Sequence, residues 1–125
     1  MVFLAGFSKE DITPSLDRKV YLAGFGRNRT AEGIHDKLWA RCLSLSDGKT
    51  TVVLVSLDLI GLFYEPYVLK LREEFEDVAL IVASTHNHNG PDTLGLWGPD
   101  VFTSGVDLDY MNLLTSRIRS CIRAA

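Results

Sequence analysis

Apolar residues cluster in short runs along the chain, and their spacing changes from run to run. Residues 2–7 are apolar and rich in β-formers, which predicts a first short strand. Asp11-Ile12-Thr13-Pro14-Ser15 ends it, because proline cannot donate to a sheet ladder. Residues 38–45 and 51–59 flank Ser46-Asp47-Gly48-Lys49, and Asp-Gly between two β-forming runs predicts a hairpin. Val52-Val53-Leu54-Val55 is apolar at consecutive positions, the pattern of a central strand buried on both faces. Tyr64, Val68, Leu71 and Phe75 then recur at helical spacing, with Pro66 suited to a first turn. Residues 78–83 read as a second buried strand. Strand, helix, strand in this order implies a right-handed parallel crossover, with Asp58 and His86 at one edge of the sheet. A last helix starts near Asp107, with Met111, Leu114, Ile118, Cys121 and Ala125 as its buried stripe. Arg117, Arg119 and Arg123 suit its C-terminal dipole.

The expected fold is therefore a single α/β module over residues 1–125: a mixed sheet with a β-hairpin and a parallel β-α-β crossover, helices packed on the sheet. Between the runs lie two long irregular segments, 15–34 and 92–105. Loops of that length inside a compact domain are commonly functional or partly disordered. Gly24-Phe25-Gly26 in the first is read as an irregular turn, not a phosphate loop.

Composition narrows the function classes. The chain is 46% apolar and 23% charged, the balance of an ordinary globular protein. A net charge of −3 with no basic block argues against a nucleic-acid partner. No apolar run approaches the length of a transmembrane segment. The apolar start is too short for a signal sequence and lacks a basic lead. Cys42 and Cys121 lie far apart in apolar patterns and read as reduced core thiols, so the expected compartment is cytoplasmic.

Candidate chemistry gathers in Thr85-His86-Asn87-His88-Asn89-Gly90-Pro91, which carries two of the chain's three histidines. Side chains at i and i+2 of an extended chain share one side, so His86 and His88 can face one space at a strand end. Such a pair suits metal ligation or proton transfer, although solvated loop histidines would show the same spacing. Asn89 flanks the pair as a candidate substrate-binding residue. Trp97 follows in the next loop and either lines a substrate pocket or pins that loop to the core. Asp58, at the end of the strand before the crossover, is open to three roles: metal ligand, carboxylate partner of a ligating histidine, or turn cap. His35 alone is a secondary candidate.

Thr85-His86-Asn87-His88-Asn89-Gly90-Pro91 resembles the Thr-His-Thr-His-Ser-Gly-Pro signature of the neutral/alkaline non-lysosomal ceramidase family, in its N-terminal catalytic domain. Further stretches resemble that family in the same order. Gly6 to Thr13 is similar to its Gly-x-x-x-x-Asp-Ile-Thr, and Gly33-Ile34-His35 to Arg41 to its Gly-Ile-His-x-x-Leu-Tyr-Ala-Arg. Val55-Ser56-Leu57-Asp58 is similar to its Val-Ser-x-Asp.

The resemblance implies a zinc-dependent hydrolase of N-acyl sphingosine or a related small-molecule N-acyl amide or lipid. It makes His86 the zinc ligand and His88 a catalytic, substrate-facing histidine. The family's remaining ligands lie beyond this chain's length, so the chain resembles a truncated or naturally short N-terminal portion. Either a missing C-terminal region or a homo-oligomer is then expected to complete it. The alternative is a non-catalytic metal-binding or scaffold module that self-associates. Where the family has Gly-Gly after the motif, Asp92-Thr93 is expected to narrow or polarise the pocket.

Overall fold

The computed structural model describes residues 2–125. Its elements run β1 (Leu4–Asp11), β2 (Trp39–Ser46), β3 (Thr51–Leu57), a wide turn at Tyr64–Val68, α1 (Leu69–Glu74), β4 (Ala79–Ser84) and α2 (Leu108–Ala124). They form one sheet in the order β1-β2-β3-β4. β1, β2 and β3 pair antiparallel, while β4 joins β3 in parallel. The mixed α/β sheet with its hairpin and its crossover is as expected.

The hairpin forms where Asp-Gly predicts it. Asp47 Oδ1 accepts from the backbone N–H of Lys49 and Thr50, at 2.9 and 2.8 Å, and Gly48 takes φ +88°. A left-handed residue at that point is what glycine permits at no steric cost. α2 is capped by Asp107, whose carboxylate accepts from Asp109 N–H and Tyr110 N–H. Its buried stripe is Tyr110, Met111, Leu114, Ile118, Cys121 and Ile122. The stripe packs on Ala40, Cys42, Val53, Val55 and Leu57 in one core with Ile12, Leu59 and Leu71. The thiol of Cys121 donates to the carbonyl of Ala40 at 3.4 Å, and both cysteines are free and buried.

Several elements depart from the sequence reading. β1 starts at Leu4 and continues to Asp11, because Ser8 and Glu10 turn towards α2, where Ser8 Oγ donates to the Cys121 carbonyl. The helix expected from Tyr64 is shorter: Glu65 is extended (φ −104°, ψ 131°), and Tyr64 is exposed. The residue before a proline is pushed out of the helical region, so regular helix begins only at Leu69. β4 is an edge strand, and neither β3 nor β4 is buried on both sides. Val53 and Val55 are buried in the core on the helix side, whereas Leu54 and Ile81 are 38% and 51% exposed on the opposite face.

Candidate functional site

The parallel pairing of β3 and β4 puts their ends together, with Leu57 and Ser84 as register partners. Beyond them the chain keeps following β3: Thr85 N–H donates to Leu57 O at 2.8 Å and Asn87 N–H to Leu59 O at 3.1 Å. Asp58 and the histidine motif therefore leave the sheet at the same edge, as the crossover implies. Between those two bonds His86 is turned into left-handed backbone, φ +63°. A non-glycine residue there is strained, and the flanking hydrogen bonds hold it. The imidazoles thus meet by a kink, not by the extended alternation that the spacing suggested.

His86 Nδ1 stands 3.0 Å from the Ile60 carbonyl. A carbonyl only accepts, so Nδ1 carries the proton and Nε2 keeps its lone pair. That Nε2 faces Nε2 of His88 at 3.2 Å. Two nitrogens on one tetrahedral zinc, each at about 2.0–2.1 Å, stand roughly 3.3–3.4 Å apart. The pair fits a shared zinc on spacing and on donor chemistry. Among the described residues, no group of three or more histidine, cysteine or acidic side chains is arranged to hold a metal.

His88 is held from behind by the first long loop. Gly24 has φ +81°, and a Cβ there would lie 2.5 Å from the His88 ring. Phe25 meets the same ring edge-on, with centroids 4.8 Å apart. Arg29 closes the arrangement. Its Nη2 donates to Ala23 O at 2.8 Å and to His88 O, its Nη1 donates to Asn89 Oδ1 at 3.4 Å, and its guanidinium lies over Phe25. Its Nε is buried without a partner among the described residues. The 15–34 segment is thereby ordered against the motif, with bridges Tyr21–Thr30 and Leu22–Pro91. Arg29, Gly24 and the Ile60 carbonyl were not singled out by sequence reasoning. The length of the loop was their one signal.

The remaining candidates are placed differently. Asp58 accepts from Trp39 N–H at 3.1 Å, from Arg41 at 2.9 Å and from Thr85 Oγ1 at 3.4 Å. It is an ion-paired strand-end cap, and His86 uses a backbone carbonyl in the place where a carboxylate was considered. His35 is exposed and paired with Asp36 at 2.8 Å, which raises its pKa. Both Asp58 and His35 line a cleft of about 610 Å3 that also takes in Leu22, Ile34, Leu38, Asn87 and Asn89. His86 and His88 are not among its lining residues, and Trp97 too lies outside it, half-buried, with its backbone N–H on Asp92.

Asp92 and Thr93 are buried and turned away from the cleft, so they neither narrow nor polarise it. Asp92 accepts from the backbone N–H of Leu94, Gly95, Trp97 and Gly105, and Thr93 Oγ1 donates to Gly61 O. Folding the loop on itself uses their polar atoms. A smaller cavity of about 200 Å3 lies on the α2 side, lined by Arg18, Tyr21, Asp107 and Tyr110.

No family model matches the chain, and no curated protein matches it. Among solved structures it is similar to the neutral ceramidase from Pseudomonas aeruginosa, at 23% identity and a TM-score of 0.76, over 98% of this chain and 21% of that one. It is likewise similar to a ceramidase complexed with C2, at 25% identity and a TM-score of 0.74, over 98% of this chain and 21% of that one. The chain has a ceramidase-like fold and spans about a fifth of the length of those chains.

Proposed function

We propose that this chain is a hydrolase module of the ceramidase kind, acting through a zinc ion on N-acyl sphingosine or a related N-acyl amide. The observation that carries the reading is the convergence of His86 Nε2 and His88 Nε2. The ceramidase-like fold supports it.

Zinc, when bound, supplies a Lewis acid that polarises an amide carbonyl and activates water. His86 holds the ion, since its tautomer is set by Ile60. Among the described residues His88 Nδ1 has no hydrogen-bond partner, so this ring is free to take up or release a proton at Nε2 as an amide is cleaved. Asn89 Oδ1 is held by Arg29, which leaves its amide N–H groups to donate to a substrate. Leu22, Ile34 and Leu38 give the cleft an apolar wall suited to an acyl chain. Further ligands would have to join His86 for full activity. The cytoplasmic setting proposed for the protein rests on the free, buried Cys42 and Cys121. Among the described residues no helix is long and apolar enough to cross a membrane.

Elemental analysis of the purified chain, followed by assay of a fluorogenic N-acyl amide, tests the proposal. Bound zinc with slow hydrolysis that His88→Ala abolishes is the expected result. Absence of zinc after loading and dialysis would remove the reading. A second reading, a metal-binding module without catalysis, is favoured by the two-histidine donor set. Stoichiometric zinc with no turnover would select it.

A further inference from the structure

The sheet has one covered face and one bare face. Cys42, Val53 and Val55 are buried in one core with residues of α1 and α2. On the other side Phe7, Leu43, Leu54 and Ile81 are successive register partners, one row running straight across all four strands. They are 64%, 36%, 38% and 51% exposed. Ala5, Leu45, Val52 and Ala79 form the next row towards the hairpin. In the other direction lies the row Lys9, Arg41, Ser56 and Ala83. The consecutive apolar residues of β3 and β4 are the pattern of strands buried on both faces, yet among the described residues no helix lies over this side.

We propose that this bare face is the interface of a homodimer, in which two copies pack sheet against sheet with their strands antiparallel. Area and charge both favour a second copy. At about 200 Å2 for a fully exposed large side chain, the row from Phe7 to Ile81 leaves roughly 400 Å2 of apolar surface open. The alanines, Leu45 and Val52 bring the face to roughly 600 Å2, so a pair buries about 1,200 Å2, the lower bound of a stable interface. A patch of that size stands at the upper end of what monomers leave in water.

The cations of these three rows sit at one end only. Lys9 lies over the Trp39 ring at 4.3 Å, and Arg41 is paired with Asp58 at 2.9 Å. A two-fold axis perpendicular to the strands sets that end over the uncharged Ala5–Ala79 end of the partner copy. It keeps the two cationic ends apart and lays one apolar row on the other. Sheets packed this way stand about 10 Å apart with their strands within about 30°. α2 stays on the outer surface and the histidine pair lies beyond the end of β4, so the dimer does not depend on the zinc reading.

Sedimentation velocity on the full chain at about 50 µM, above a Kd on the order of 10 µM, is the experiment. The wild type should sediment as a dimer. Leu54→Lys, at the centre of the face, and Phe7→Lys, on the edge strand, should each sediment as monomers with an unchanged far-UV circular dichroism spectrum. Leu113→Lys, on exposed α2, should remain dimeric. A wild-type monomer would overturn the proposal. So would a dimer that survives both face substitutions, which would point to strand-edge pairing, or one that is lost equally in Leu113→Lys. Should Leu54→Lys fail to fold, Phe7→Lys and the wild-type measurement decide.

Discussion

The Nε2 atoms of His86 and His88 face each other at 3.2 Å, but only His86 has its other ring nitrogen tied to a backbone acceptor. That asymmetry separates two histidines that their spacing alone makes equivalent. Loss of His86 removes an oriented lone pair, while loss of His88 removes a ring that no backbone carbonyl holds. His86→Ala should weaken zinc binding roughly 100-fold or more, and His88→Ala on the order of 10-fold. Competitive chelator titration of the two variants measures this. Equal loss would make both histidines direct ligands, and no loss in either would end the zinc reading.

Gly24 is the floor on which His88 rests. Gly24→Ala places a methyl 2.5 Å from the ring and imposes left-handed backbone on alanine. The backbone term alone costs about 1–2 kcal/mol. The displaced ring should lower zinc affinity by about 10-fold. Gly26→Ala is the control, since a Cβ there meets open space. If both alanine variants bind zinc like the wild type, the packing of the loop against His88 has no bearing on the site.

Asp92 holds four backbone N–H groups from inside the 92–105 loop. Asp92→Ala leaves those donors without their acceptor and should destabilise the protein by about 3–5 kcal/mol. Thermal unfolding should shift down by more than about 10 °C. A shift within a degree or two would mean that water replaces the carboxylate.

Glu74 links α1 to α2 through both carboxylate oxygens, at 2.5 and 2.9 Å from Arg119. The Arg119 hydrogen bonds hold the Glu74 pKa below its ordinary value. A depressed carboxylate contributes stability above its unfolded pKa and loses it as pH falls through the folded one. The pair is part-exposed, so its contribution at neutral pH should be about 0.5–1 kcal/mol. Glu74→Gln should lose that amount at pH 7 and less of it at an acid pH, as pH falls through the lowered folded value. Urea unfolding at the two pH values is the check, and a difference that persists undiminished in acid would contradict the assignment.

Zinc-loaded protein should hydrolyse simple N-acyl amides slowly at best. A catalytic zinc usually has three protein ligands, and no three of the described histidine, cysteine or acidic side chains converge. Rapid turnover by the isolated chain would show that a further side chain, such as His35 or Asp58 across the cleft, moves in to complete the set.

What could be read from the sequence was what is decided locally. Asp47-Gly48 specifies its own turn, and the stripe from Met111 to Cys121 specifies its own helix face. β3, α1 and β4 in succession leave little choice but a parallel pair, and that places Asp58 and the histidines at one end. The parts missed depend on distant partners. Arg29 reaches residues 88 and 89 across about 60 positions, and no spacing rule joins them. His86 draws its tautomer from the carbonyl of Ile60, an atom common to every residue type. The run Val52 to Val55 was informative in a different way. Its pattern calls for cover on both faces, and the described fold supplies one.

Ser8 and Cys121 meet across 113 positions, and through them the last helix settles on the first strand. Until α2 arrives, the hairpin and crossover can pair, yet both sides of the sheet remain open to solvent. Closing so long a loop costs entropy before any burial offsets it, which places this chain among the slower-folding α/β topologies. The interval before α2 docks is when the apolar row from Phe7 to Ile81 can meet the same row on an unfinished neighbour. Refolding yield should therefore fall with protein concentration even under conditions in which the finished molecule stays in solution.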